Sequence, residues 1–253
     1  VCYKLNVLSR SWLGDIKVIN LTKRHLEKFC ADGKLIVKGG TIKSELMLIK
    51  RVFKVAINNW NYGIPFNAFN GLDIPSPHKP RTRRLLSNEL FILISHAEKQ
   101  RNKYISTIIQ FAVETGMRRS EILKLTWNDV NLDTGIASLY DTKNGDDRHI
   151  PLTKTAIQLL SNLSQSSEFV FPISANCLRL AWERCRNKSN IKGLRFHDLR
   201  HEAVSRFFEM GLSVPEVALI SGHKDVRQLF RYTHLKPENL IAKYSNIFKE
   251  GNK

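Results

Sequence analysis

Arg195-Phe196-His197-Asp198-Leu199-Arg200-His201, followed by Ile220-Ser221-Gly222-His223 and then by Arg231-Tyr232-Thr233-His234, is the stretch on which the reading of this chain turns. His197 and Arg200 are three apart, so on a helix they share one face and point at one anionic ligand. A helix beginning near His197 adds free backbone N–H groups and the positive end of its dipole. Gly222 is placed to close a short helix ahead of His223, and Tyr232 follows nine residues later in a basic, aromatic run. Guanidinium groups grip phosphate oxygens in pairs, imidazoles donate to oxygen or carry protons, and a tyrosine hydroxyl beside them can act as a nucleophile. Taken singly, these residues read as a solvated helix face, a helix stop and a half-buried aromatic. Their order within one basic segment favours phosphate chemistry.

Working upstream, Thr115-Gly116-Met117-Arg118-Arg119-Ser120-Glu121 joins two helices through a glycine, which lets Arg118 project at the start of the second. Glu121, one turn on, can hold that arginine by a charge-assisted bond. Lys143 stands before Asn144-Gly145, at the tip of an expected hairpin, where a flexible point charge could reach a bound duplex. The pattern predicts strands over Trp127–Leu132, Ile136–Tyr140 and His149–Leu152, forming a three-stranded antiparallel sheet. Helices are expected on both sides of it: Ser87 (as N-cap) to Lys99, Lys103–Thr115, Arg119–Leu125, Thr153–Leu163, Ser174–Asn187, His197–Met210, Val214–Ile220 and Pro237–Phe248. Ser213-Val214-Pro215-Glu216 is a capping box.

The 253 residues carry a formal net charge of +17, and 42% of them are hydrophobic. That content supplies packed cores, and the charge points to a polyanionic partner, most simply nucleic acid. Asp73 to Arg84 is a stiff, basic, proline-rich linker. It divides the chain into residues 1–78, read as helical, and residues 79–253. In the first part the pattern is helical from Leu21 to Trp60, with Leu26 and Phe29 on one face and Leu46, Ile49, Val52, Phe53 and Ala56 forming an apolar stripe. Lys43, Lys50, Arg51 and Lys54 stand off that stripe and are candidates for DNA phosphates, as are Arg81, Arg83 and Arg84 of the linker and Arg119 and Arg195 beyond it. Cys2, Cys30, Cys177 and Cys185 form no C-x-x-C pair, which suits reduced thiols and argues against a zinc site. Without a long apolar run or a signal-peptide pattern, no membrane partner is expected, and the reading is a soluble, intracellular protein. A nucleic-acid partner then places it in the cytoplasm, associated with the nucleoid. Because the chain begins with Val1, an N-terminal portion is expected to be missing.

Arg118, Lys143, His197-x-x-Arg200, His223 and Tyr232, in this order, together with Thr-Gly-x-Arg-x-Ser-Glu, Gly-His and Arg-Tyr-Thr-His, resemble the tyrosine recombinase (phage integrase) family. The resemblance is close from Leu85 to Leu235 and looser before Lys79. The run His197 to Ala203 with Ser205-Arg206-Phe207-Phe208 is also similar to plasmid shufflon invertases. The resemblance implies a mainly α (α+β) fold: an N-terminal helical core-binding domain, then a catalytic domain of helices with a small antiparallel sheet and a C-terminal protomer-packing helix. It implies that Tyr232 attacks a phosphodiester to give a 3′-phosphotyrosyl bond, while Arg118, Arg200 and His223 bind the non-bridging oxygens. Lys143 would protonate the departing 5′-oxygen, His197 would position the phosphate or accept the tyrosine proton, and Glu121 would support the site. It further implies double-stranded DNA as partner, a tetramer on two DNA sites, an accessory DNA-bending or directionality factor, and no metal or other cofactor. His201, four after His197, has the spacing of a metal ligand, but the neighbouring Arg200 repels a cation. The rivals are a DNA-binding regulator of this fold that has lost cleavage and a type IB topoisomerase-like relaxing enzyme.

Overall fold

In a computed structural model, residues 2–64, 66–75, 81, 83–140 and 147–233 are described. The chain divides into two compact units, Val1–Arg81 and Thr82–Lys253. The expected helix Pro237–Phe248 and Lys143 lie outside the described residues.

The first unit contains α1 (Cys2–Ser9), α2 (Lys23–Ile36), α3 (Gly39–Trp60) and a 3-10 turn at Phe66–Phe69. The helical pattern read from Leu21 to Trp60 is thus carried by two helices, parted at Val37 and Lys38, both extended. Leu26, Ile42, Leu46 and Phe53 close its core, with Phe53 set edge-on against Phe69 at 5.5 Å. Val52 departs from expectation and is 40% exposed. Positions 46, 49, 53 and 56 follow the helical period, and 52 lies about 100° away from 53 around the axis.

The second unit is built on α5 (Tyr104–Thr115), whose Ile105, Ile108, Ile109 and Phe111 are fully buried. Around it pack α4 (Glu89–Glu98), α7 (Lys154–Ser161), α8 (Ala175–Lys188) and α9 (Asp198–Glu209), while α6 (Arg119–Lys124) leaves its C-terminal end. The sheet runs β1 (Val130–Asn131), β2 (Ile136–Leu139), β3 (Arg148–Pro151), antiparallel throughout, with Leu139 opposite Arg148 and Ile136 opposite Pro151. The first strand is shorter than expected. Thr126 donates through both its N–H and its hydroxyl to the Asp129 carboxylate, which winds Trp127–Asp129 into a 3-10 turn. Ser87 is likewise not the cap of α4: the helix starts at Glu89, whose carboxylate accepts the Leu86 N–H at 2.8 Å. The capping box at Ser213 and Glu216 opens α10 (Val214–Ser221), which packs on β3.

Arg83 and Arg84, read as phosphate contacts, are engaged by carboxylates of their own unit. Arg83 pairs with Glu89, and Arg84 meets both oxygens of Glu202 at 3.1 Å and pairs with Glu209. Glu202, buried on α9, also accepts from Arg206 at 2.9 Å and from the Leu85 N–H at 3.2 Å. Burial opposes its charge, but the two guanidiniums outweigh burial and hold its pKa below the ordinary carboxylate value. A depressed folded-state pKa contributes stability that is complete above the ordinary carboxylate range and is lost as pH falls through it. Glu202→Ala is therefore expected to destabilise the protein by about 2 kcal/mol in urea unfolding at pH 7, and by clearly less at pH 4. An equal loss at both pH values would refute this account.

Candidate active site

Among the described residues, five pieces of chain meet in the second unit: the α5–α6 junction, β3, the first turn of α9, the end of α10, and a 3-10 turn at Phe230–Tyr232. Arg200 lies at their centre and is 4% exposed. One guanidinium nitrogen donates to the Gly116 carbonyl at 2.7 Å and another to the Ser221 carbonyl at 2.5 Å. These carbonyls sit at the C-terminal ends of α5 and α10, where unsatisfied acceptors and the negative end of the dipole favour a cation. Both helices end in a left-handed glycine, Gly116 at φ 63° and Gly222 at φ 67°. Burial, and then the nearby Arg118, pull the Arg200 pKa down to about 10, so the guanidinium stays protonated at neutral pH.

Arg118 precedes α6. Its backbone N–H reaches Glu121 at 2.7 Å, its side chain reaches the other Glu121 oxygen at 2.6 Å, and a further nitrogen donates to the Gly222 carbonyl at 3.1 Å. Glu121 is shared with Arg148, which approaches at 2.8 Å and also donates to the Ile220 carbonyl at 3.2 Å. Burial raises the Glu121 pKa, but the bonds from Arg148 and Arg118 more than offset this and lower it overall. A side chain at position 222 would collide with the Arg148 guanidinium, since a Cβ there would lie 2.5 Å from one of its nitrogens. Three guanidiniums thus gather around one carboxylate, which leaves positive charge for an anion.

Sequence reasoning passed over Arg148, though a signal was present. Side chains alternate along a strand, so an inward Ile150 places Arg148 inward too. A charged residue at an inward register is informative because burial demands a partner.

His223 follows the α10 cap, with Nδ1 at 2.6 Å from the Ser221 hydroxyl. Ser221 gives its one hydroxyl proton to the Val217 carbonyl at 2.5 Å, so its oxygen accepts from His223 Nδ1–H. Burial, then Arg200 and Arg118, push the His223 pKa down to about 4. His197 stands at the N-terminal edge of α9, its pKa lowered by partial desolvation first and by Arg200 next. Tyr232 is 9% exposed. Its hydroxyl is hydrogen-bonded to Nδ1 of His201, and the two rings stack with centroids 5.6 Å apart.

Arg119 and Arg195 are exposed and line a cleft of about 470 Å³ beside His197, with Arg179, Arg186 and Trp182. In the first unit, Lys43, Arg51 and Lys54 are exposed along α3, and the Lys50 ammonium lies 5.9 Å over the Phe69 ring. Arg81 is partly buried. Among the described residues no three His, Cys, Asp or Glu side chains gather as a metal-holding group, and no helix is long and apolar enough to cross a membrane.

Comparison with known proteins places this geometry. The phage integrase family model matches residues 83–239. A shufflon-specific DNA recombinase of Escherichia coli is 38% identical over 209 residues, which cover 82% of this chain and 54% of that protein. A putative integrase/recombinase of Haemophilus influenzae is 32% identical over 231 residues, covering 88% and 75%. The chain therefore spans about half the length of the first relative and three quarters of the second. Among solved structures, the Tn1549 transposon integrase in complex with a circular intermediate DNA superposes with a TM-score of 0.77 at 18% identity, covering 96% of this chain and 91% of that one. A lambda integrase dimer bound to a core site gives 0.75 at 19%, covering 92% and 86%. These last two likenesses speak for the fold. Together with the extent of the family match and the identity to the two relatives, they show that the chain belongs to the phage integrase family.

Proposed function

We propose that this protein cuts and rejoins duplex DNA at specific sites through a covalent 3′-phosphotyrosyl intermediate on Tyr232. The observation that carries this reading is the position of the Tyr232 hydroxyl: it bonds to the residue next to Arg200, the guanidinium around which the anion-seeking cluster is assembled. A scissile phosphate held by Arg118 and Arg200 would lie close to a buried phenol. Attack by the tyrosine oxygen forms one O–P bond and breaks the bond to the 5′-oxygen, so the ester energy is kept and the strand can be resealed without ATP. The guanidiniums stabilise the charge that grows on the non-bridging oxygens, and they are already oriented by carbonyls and by Glu121, so little reorganisation is needed. Lys143 is assigned the proton for the departing 5′-oxygen. His197 is assigned to the phosphate. His223, whose Nδ1–H is committed to Ser221, donates to a phosphate oxygen once its other nitrogen is protonated, which the phosphate charge favours. No metal has a part in this scheme.

The exposed lysines and arginine of α3, together with Arg119 and Arg195, are proposed to follow the DNA backbone. Double-stranded DNA is the partner, and recombination between two sites calls for a tetramer, with an accessory DNA-bending or directionality factor as a further partner. Such a protein works in the cytoplasm on the nucleoid.

The test is a suicide-substrate assay: nicked duplexes of randomised core sequence are incubated with the protein, denatured, and searched for a DNA–protein adduct. An adduct at Tyr232 is expected, and Tyr232→Phe should remove it while DNA affinity stays within about threefold, since no positive charge is lost. Failure of the wild type to trap any duplex that it binds would overturn the proposal. Arg118→Lys keeps the charge and loses the planar fork, and it should slow single-turnover cleavage by about a hundredfold. Cleavage at the wild-type rate in that variant would remove Arg118 from the transition state.

A further inference from the structure

The phenol of Tyr232 has to lose its proton as its oxygen attacks phosphorus, and among the described residues its hydroxyl is hydrogen-bonded to His201. His201 Nδ1 is hydrogen-bonded to the Tyr232 hydroxyl, and the planes of the two rings are within 27° of parallel. His201 lies on α9 directly after Arg200, and the His197 ring packs edge-on against it at 5.0 Å. His223 is turned to Ser221 by its own Nδ1. Among the described residues, His201 is thus the imidazole bonded to the Tyr232 hydroxyl. We propose that His201 is a catalytic residue: its Nδ1 aims the Tyr232 hydroxyl and takes the phenolic proton during attack. The proposal rests on the reading of Tyr232 as the nucleophile.

The balance of the step is complete. The Tyr232 oxygen bonds to phosphorus, the P–O5′ bond breaks, the phenolic proton moves to His201 Nδ1, and the 5′-oxygen leaves with a proton from a separate acid, assigned above to Lys143. Resealing runs the same transfers backwards, with the imidazolium returning its proton to the tyrosine oxygen. The acceptor role requires the tautomer that carries its proton on Nε2.

Electrostatics support a base that works only when substrate is present. Burial raises the Tyr232 pKa, while burial and then His197 lower that of His201 to about 4. In the resting protein the proton therefore stays on the tyrosine. Among the described residues, the charged and titratable groups facing His201 are His197, Asp198 and Arg200 at the start of its own helix, His223 after α10, and Arg231 and Tyr232 on the C-terminal turn. A phosphate seated between Arg118 and Arg200 adds negative charge beside this set and raises the proton affinity of the imidazole. Deprotonation of the nucleophile is in this way tied to occupancy by DNA, and the free protein keeps a protonated, unreactive phenol.

His201→Gln preserves a hydrogen-bonding side chain of similar reach but cannot accept a proton at neutral pH, and His201→Ala leaves space for added imidazole. Both are compared with wild type in single-turnover cleavage of a nicked duplex recovered from the adduct screen, with DNA affinity measured by filter binding. Each should cleave about a hundredfold or more slowly, with affinity within about threefold. Imidazole should restore His201→Ala by at least about tenfold and leave Tyr232→Phe inert. A substrate with sulfur at the 5′-bridging position needs no proton on its leaving group, so it should not rescue His201→Gln. A His201→Gln rate within about threefold of wild type overturns the proposal, as does rescue of His201→Ala by the sulfur substrate and not by imidazole. If the wild type forms no adduct at Tyr232, it is the recombinase reading that fails.

Discussion

A buried guanidinium is costly unless its donors are met, and Arg200 meets the requirement with backbone carbonyls at the ends of two helices. This constraint shapes the second unit. Gly116 and Gly222 end α5 and α10 in left-handed turns, and the carbonyls around those turns are the ones left without helical partners. Carbonyls, unlike carboxylates, satisfy hydrogen bonds without neutralising charge. Arg200 therefore keeps its positive charge for a ligand, and its depressed pKa reflects how strongly burial and neighbouring cations press on it.

Around that centre the charge is deliberately unbalanced. Glu121 serves both Arg118 and Arg148, and Arg148 ties β3 to α6 and to the end of α10. The pairing orients two guanidiniums with one carboxylate, so the cluster is ordered by its own partners and still attracts an anion. Such an arrangement contributes less to stability than apolar packing of the same volume would. The elements that bear it are held instead by the apolar core around α5 and by the clip of Arg84 and Arg206 onto Glu202 on α9.

Much of the site was legible in the residues themselves. Arg118 with Glu121 one turn away, His197 and Arg200 on one helix face, and His223 after a glycine cap are short-range patterns, and helical spacing alone brings each set together. The capping box at Ser213 was readable for the same reason. Trp127 was misread as strand because the competing bonds from Thr126 to Asp129 are a side-chain choice that hydrophobic alternation does not register. The pairing of Arg84 with Glu202 was not legible, because a basic linker carries no trace of a carboxylate 118 residues away in sequence.

The sequence by itself determined the family, the mainly helical architecture, the excess of positive charge and the order of the arginines, histidines and tyrosine along the chain, since all of these reside in composition and local spacing. Tertiary structure alone decided which of these groups touch. It put Arg148 under Gly222, gave the Ser221 hydroxyl to His223, and set His201, read from spacing as a metal ligand to be discounted, against the Tyr232 hydroxyl. The physical reason is that a hydrogen bond between residues 31 apart in sequence is fixed by how α9 and the C-terminal turn pack on a shared core. No pattern within either segment records that packing.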